Sequence, residues 1–185
     1  MKTVVRTTHL EMRSREALRP AGRIPADVLL LRAGIPSPEL NRCFYRSIGG
    51  DWYWLDRIPW TWEQWMAWVG RPEVETWVSY QAGTPTGYFE LEAQAEGSVE
   101  IAYFGILPRF TGNGMGGYLL TQAVDRAWSM RPSVRRVWVH TCTLDHPGAL
   151  RNYLARGFTI FKETEEAVDL PDQPPGPWPG AERPR

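Results

Sequence analysis

Arg109-Phe110-Thr111-Gly112-Asn113-Gly114-Met115-Gly116-Gly117-Tyr118-Leu119-Leu120 (RFTGNGMGGYLL) places four glycines within six residues and then runs into an amphipathic pattern. Leu119, Leu120, Ala123, Val124 and Ala127 recur at helical spacing, so a helix is predicted from about Met115 to Trp128. The first backbone N–H groups of a helix have no partner inside it, and the aligned peptide dipoles add positive potential there. Glycine lets such a backbone approach a bulky anion without a Cβ in the way. The stretch therefore reads as a phosphate cradle at a helix start. Taken singly, each glycine also fits an ordinary loop with a helix cap.

Working outward, Val99 to Ile106 reads as the strand that delivers the loop, and Arg135 to Thr141 as the strand after the helix. Pro147 to Arg156, closed by Gly157, reads as a second helix, and Thr159 to Lys162 as the start of a last strand. Upstream, the extended runs ETWVSYQ and TGYFELEA flank AGTP, which predicts a hairpin. Ser37-Pro38 offers an N-cap with proline at the first helical position, followed by the apolar face Leu40, Phe44, Tyr45 and Ile48 and the stop Gly49-Gly50. Thr61 and Gln64 fit a capping box for a shorter helix reaching Gly70. Asp27 to Arg32 reads as a buried strand, and Thr3 to Met12 as a strand followed by a loop to Pro25. From Leu170 the chain is proline-rich and is expected to be disordered.

The expected architecture is thus α/β, with a mixed, mostly antiparallel central sheet flanked by helices. Residues 1–26 form an N-terminal strand and loop extension, 27–168 the single domain, and 169–185 the tail. With 185 residues and 43% hydrophobic content the chain can bury a full core. Its 21 basic and 21 acidic residues cancel, which removes the electrostatic case for nucleic acid or an anionic membrane surface. No stretch has the apolar length of a spanning helix or the pattern of a signal peptide, so the expected location is cytoplasmic. Cys43 and Cys142 are far apart and lack metal-ligand spacing, so reduced thiols and no metal are expected.

Three phosphate-binding patterns compete for this loop. A nucleotide-hydrolysing loop needs Lys and then Ser or Thr after its last glycine, whereas Gly114 is followed by Met115-Gly116. Gly112, Gly114 and Gly117 formally satisfy G-x-G-x-x-G, but the strand ends several residues too early and the next strand ends in Val139-His140-Thr141 without a carboxylate. The third pattern fits in order and spacing: strand, Ile106-Leu107-Pro108, glycine loop, helix, strand, and then AxxxYxxxGF at Ala149 to Phe158. This arrangement resembles the GCN5-related N-acetyltransferase family over roughly Asp27 to Lys162. The hairpin WVSYQAGTPTGYFELE resembles that family's second and third strands.

The resemblance implies acetyl-CoA as co-substrate, with its pyrophosphate on the amides of Thr111, Gly112, Asn113, Gly114, Met115, Gly116 and Gly117. Thr111 departs from the family's Gln or Arg at the first motif position, which leaves the backbone cradle and removes a side-chain contact. A backbone N–H of Phe104 or Ile106 is implied as the oxyanion donor, and Gly105 between them suits a bulge. Tyr153 matches the family tyrosine that protonates the coenzyme sulfur, with half-buried packing as the alternative. His146 and Asn152 fall at coenzyme-binding positions, and His146 equally suits the neighbourhood of a helix N-cap. Glu100 lies six residues before Ile106, where some members carry a glutamate general base, and by the period of two it would share a face with Ala102, Phe104 and Ile106. It equally suits a solvated strand carboxylate. His140 is expected to be structural.

Six of the ten tryptophans fall between Trp52 and Trp68. Such density suits an apolar or cation-binding acceptor pocket, with Trp52 and Trp54 its expected walls and Asp51, Asp56 and Glu63 as partners of a basic acceptor. Trp62, Trp65 and Trp68 have the spacing of helix packing. The function implied is direct transfer of an acetyl group to the primary amine of a small molecule, in a monomer or a homodimer. The alternative is a CoA-binding regulatory or interaction module of the same fold.

Overall fold

The computed structural model describes residues 2–181. In chain order the elements are β1 (Lys2–Met12), β2 (Val28–Arg32), α1 (Pro38–Gly49), α2 (Trp62–Val69), β3 (Val74–Gln81), β4 (Thr84–Ala93), β5 (Ser98–Ile106), α3 (Met115–Ser129), β6 (Arg136–Cys142), α4 (Ala149–Ala155) and β7 (Thr159–Asp169). The seven strands form one sheet in the order β2-β3-β4-β5-β6-β1-β7. Every neighbouring pair is antiparallel except β5–β6. The fold is the expected α/β arrangement with a mixed sheet.

Local chemistry sets the helix starts. The Ser37 side chain accepts from Leu40 N–H at 3.2 Å with Pro38 in the first turn of α1. Thr61 and Gln64 complete a reciprocal capping box at α2: Gln64 N–H donates to Thr61 Oγ1 and Thr61 N–H donates to Gln64 Oε1. Between β3 and β4 the turn is Ala82-Gly83, both at positive φ (49° and 77°), the geometry a tight two-residue hairpin requires.

One face of the sheet carries α3. Leu119, Leu120, Ala123 and Val124 lie against Phe89, Leu91, Val99, Ile101, Val137 and Val139, all buried. On the other face Phe44 and Ile48 of α1 pack on Val78 and Tyr88. A bulge in β5 lies between these two cores: Leu91 pairs with Ile101 but Glu90 pairs with Tyr103, so Ala102 is the extra residue. Gly105, expected to mark a bulge, pairs regularly with Tyr88. Its missing side chain serves packing, since a Cβ there would sit 2.3 Å from Ile48 Cγ2.

Several expectations change. The N-terminal strand is not an appendage: β1 lies inside the sheet between β6 and β7, with Leu10 and Met12 in the main core. Strand β2 is an edge rather than a buried strand; it pairs only with β3, leaving Leu29 and Leu31 exposed while Leu30 touches the core. Strand β7 does start at Thr159 as expected and continues to Asp169, pairing with β1 along the length of both. The proline-rich tail is docked where it is described. Gly176 N–H donates to Gly50 O at 3.0 Å, Arg46 Nε donates to Pro177 O at 3.0 Å, and Pro177 is buried. The last four residues expected in that tail lie outside the described residues.

Candidate active site

The strands β5 and β6 are paired only from Ser98–Arg136 to Glu100–Trp138. Beyond that point they part, and the bulge at Ala102 bends β5 at the same level. Backbone groups on diverging strands lose their ladder partners and face whatever fills the gap. The gap is a cavity of about 850 Å³ bounded by Ile101–Ile106 of β5, Val139, His140 and Cys142 of β6, the glycine loop, α4 and the aromatic segment 51–54.

At one end the chain turns through Pro108–Phe110 and reaches Gly112 and Gly114, both left-handed (φ 88° and 82°), before α3 begins at Met115. These two φ values are why glycine stands at both positions. The first intrahelical bond is Tyr118 N–H to Gly114 O, so the amides of the preceding residues have no helical acceptor. A Cβ on Gly112 would meet nothing within 4 Å, which leaves the loop open to a bulky anion. Thr111, Gly112, Gly114, Gly116 and Gly117 line the cavity. Asn113 and Met115 are not among its walls, and the Met115 side chain is buried with its sulfur near Thr86 Oγ1, so only its backbone is available to a ligand. Asn152 Nδ2 donates to Gly116 O at 3.1 Å, tying α4 to the loop, and Arg156 reaches the Gly117 side. The cradle, the open space and the nearby guanidinium suit a diphosphate.

Tyr153 of α4 is 6% exposed, packs edge-on against Phe104 and Phe158, and lines the cavity. Burial, and then the Asp145 carboxylate, push its phenol well above the ordinary value, so it stays protonated at neutral pH. His146 stands at the start of α4, where its Nδ1 accepts from Gly148 N–H at 3.0 Å, and its ring meets Trp52 edge-on on the cavity wall. Phe104 and Ile106 also line the cavity, with Phe104 turned toward Tyr153.

The opposite end is aromatic and acidic. Trp52, Tyr53 and Trp54 line it with Asp51, Asp56, Tyr103 and Asp145. Tyr53 holds a positive φ of 59°, costly for a bulky residue and typical of segments fixed for function. Trp54 Nε1 donates to Asp145 Oδ1, whose other oxygen accepts from Thr141 Oγ1 at 2.7 Å and Cys142 N–H at 3.0 Å. Tyr103 O–H donates to Asp56 Oδ2 at 3.0 Å. Burial and Asp145 push the Cys142 thiol up, which leaves it a poor nucleophile. Glu63 stands in the first turn of α2, away from this cavity.

Much of the tryptophan density has another use. The Arg57 guanidinium lies 4.6, 5.6 and 4.1 Å from the ring centroids of Trp60, Trp65 and Trp68 and 4.2 Å from Tyr103. An aromatic box around a cation is thus present, but it is built from Trp60, Trp65, Trp68 and Tyr103 and holds the chain's own Arg57, while Trp52 and Trp54 stand on the cavity wall.

Glu100 is not on the cavity wall. The bulge breaks the period of two, so Glu100 does not share the face of Phe104 and Ile106; it sits with Gln94 and His140 instead. His140, Tyr103 and Asp145 were missed as cavity residues because their proximity depends on the splay of β5 from β6, which spacing along the chain does not encode.

Among the described residues no helix is long and apolar enough to cross a membrane. A search of curated proteins gives no match. Solved structures share the fold. A GCN5-related N-acetyltransferase from Kribbella flavida aligns with TM-score 0.60 at 22% identity, covering 86% of this chain and 56% of that one. One from Sphaerobacter thermophilus gives 0.65 at 17%, covering 91% and 55%. The chain therefore spans little more than half the length of these two proteins. An aminoglycoside acetyltransferase from an uncultured soil metagenomic sample, in complex with trehalose, gives 0.59 at 13%, covering 72% and 90%. The sequence profile of the acetyltransferase (GNAT) family matches residues 38–158, well over half of the sequence, and the chain belongs to that family.

Proposed function

We propose that the protein is an N-acetyltransferase that binds acetyl-CoA with Gly112–Gly117 at the diphosphate and passes the acetyl group directly to the primary amine of a small molecule. The observation that carries this reading is a single cavity joining an open amide cradle to an acidic, aromatic compartment, with Tyr153 on its wall. When bound, acetyl-CoA supplies a thioester carbonyl as the electrophile. The amides of the glycine loop hold the phosphates, and Asn152 keeps that loop against α4. Backbone N–H groups of Phe104 or Ile106, on the strand that leaves its neighbour, donate to the developing oxyanion. Tyr153 O–H donates to the departing sulfur.

Asp51 and Asp56 favour a cationic acceptor, and Trp52 and Trp54 offer faces to its apolar part. The reading is therefore an amine with an aromatic or apolar body. The cytoplasm, which supplies acetyl-CoA and keeps Cys43 and Cys142 as free thiols, is the matching location. The test is an acetyl-CoA consumption screen across aryl, alkyl, amino-acid and aminoglycoside amines. Turnover with an aromatic amine is expected; CoA binding without turnover on any amine would instead favour a CoA-binding module.

A further inference from the structure

Glu100 and His140 stand at the point where the sheet opens. Glu100 is the last residue of β5 paired with β6, opposite Trp138, and His140 follows two residues later on the same face of β6. His140 lines the cavity while Glu100 lies behind it, with only 12% of its side chain exposed. His140 Nδ1 is 3.3 Å from Glu100 Oε1. The other carboxylate oxygen accepts from Gln94 Nε2 at 2.9 Å, and Gln94 Oε1 accepts from Trp138 Nε1 at 3.0 Å. A chain of partners thus fixes the imidazole: indole to amide, amide to carboxylate, carboxylate to Nδ1. A carboxylate on Nδ1 keeps the proton there and leaves Nε2 as the lone-pair nitrogen of the neutral ring.

We infer that His140 is the general base that takes the proton from the acceptor's ammonium group, with Glu100 a positioning residue behind it. The inference rests on the acetyltransferase reading. One ammonium proton passes to His140 Nε2 and on to solvent, leaving a neutral amine. The C–N bond forms as the C–S bond breaks. Tyr153 gives its proton to the leaving sulfur and regains one from the attacking nitrogen, so the products are the amide, free thiol and one proton.

The charged groups around the ring agree with this use. From β5, Glu100 faces Nδ1; Asp145 and Asp56 act from the loops before α4 and α2; His9 of β1 lies with its ring 5.9 Å away, and Lys162 of β7 acts on His9. The contact with Glu100 raises the His140 pKa above 6.5, burial opposes it, and the carboxylates of Glu100, Asp145 and Asp56 raise it further. The base form is therefore present above that raised value and lost as pH falls through it.

The test combines pH profiles of kcat/KM and kcat with an NMR titration of the histidine side chains, for the wild type, His140→Gln, His140→Asn and Glu100→Gln. With three histidines in the chain, the His140 resonance is identified by its absence from the His140 variants. Both His140 variants are expected to bind CoA as the wild type does by calorimetry, to lose roughly 100-fold or more in kcat and to lose the acid limb. Glu100→Gln, which keeps the base, is expected to move the acid limb and the His140 titration together to lower pH, with a smaller loss of kcat. An acceptor's own ionisation would not move with that substitution. Near-wild-type kcat in either folded His140 variant overturns the inference. So does a Glu100→Gln enzyme as inactive as the His140 variants, since Glu100 would then be the base. A wild type that turns over no amine overturns the acetyltransferase reading, and this inference with it.

Discussion

The Nη1 of Arg57 lies 2.9 Å from Glu90 Oε2, with the two side chains only 6% and 0% exposed. Glu90 also accepts from Asn41 Nδ2 at 2.8 Å and Trp68 Nε1 at 2.6 Å, so its two oxygens are satisfied without water. Arg57 N–H donates to Tyr45 Oη, which draws the segment between α1 and α2 onto the sheet. Breaking one side of a buried pair leaves an uncompensated charge, so Arg57→Met should cost about 3–5 kcal/mol of stability in urea unfolding. Glu90→Gln added to Arg57→Met should recover about 1–3 kcal/mol, because the stranded charge is removed while an acceptor for Asn41 remains. A double variant no more stable than the single would show that the aromatic box, and not the ion pair, holds this segment.

Tyr153→Phe keeps the ring packing against Phe104 and Phe158 and removes only the proton donor. The expected result is a fall in kcat of roughly 100-fold. Calorimetric affinity for CoA should stay within about twofold, a difference worth under half a kcal/mol. Unchanged turnover would remove the hydroxyl from the mechanism.

At Gly114, charge and strain have to be separated, because the residue is left-handed and a Cβ there would come within 3.0 Å of Arg23 Cδ. Asn tolerates the left-handed region nearly as Asp does and carries no charge. Gly114→Asn should therefore retain measurable CoA binding, whereas Gly114→Asp should lose at least a further tenfold, about 1.4 kcal/mol, by setting a carboxylate against phosphates. Equal affinity in the two variants would mean that no phosphate lies at this loop.

What the sequence disclosed is what local chemistry decides. The caps at Ser37 and Thr61 and the Ala82-Gly83 turn depend on neighbours within a few residues, and each appears close to where its residue types put it. What it concealed is set by partners far along the chain. The place of β1 depends on pairing Thr7–Met12 with Val137–Cys142, a contact no periodicity announces. The bulge at Ala102 is a property of the β4–β5 register, so an alternation rule applied to Glu100 and Phe104 assigned them one face when they occupy two. Aromatic density pointed to a pocket at Trp52 and Trp54 and did not disclose the box that Trp60 and Trp68 form around Arg57, since cation and rings meet only after α1, α2 and the sheet have packed. The turn into α3 was legible because the left-handed conformation at Gly112 and Gly114 is a demand that those two residues meet themselves.

The docked tail bears on the aromatic, acidic end of the cavity. It holds Gly50 through Gly176 N–H and engages Arg46 through the carbonyls of Gly176 and Pro177, and Gly50 immediately precedes Asp51 and Trp52 on the cavity wall. Gly50 is itself pressed by the tail: a Cβ there would lie 2.5 Å from Gly176 C. Ending the chain at Pro171 removes these contacts and leaves the glycine loop untouched. With three hydrogen bonds lost at about 1 kcal/mol each, a fall in Tm of roughly 6–12 °C is expected for a chain of this size. The kinetic signature should be a higher KM for the amine with CoA affinity unchanged, because only the acceptor loop loses its anchor. Were the truncated protein to bind CoA more weakly and the amine equally well, the tail would have to act on the coenzyme end of the cavity, against the contacts it makes.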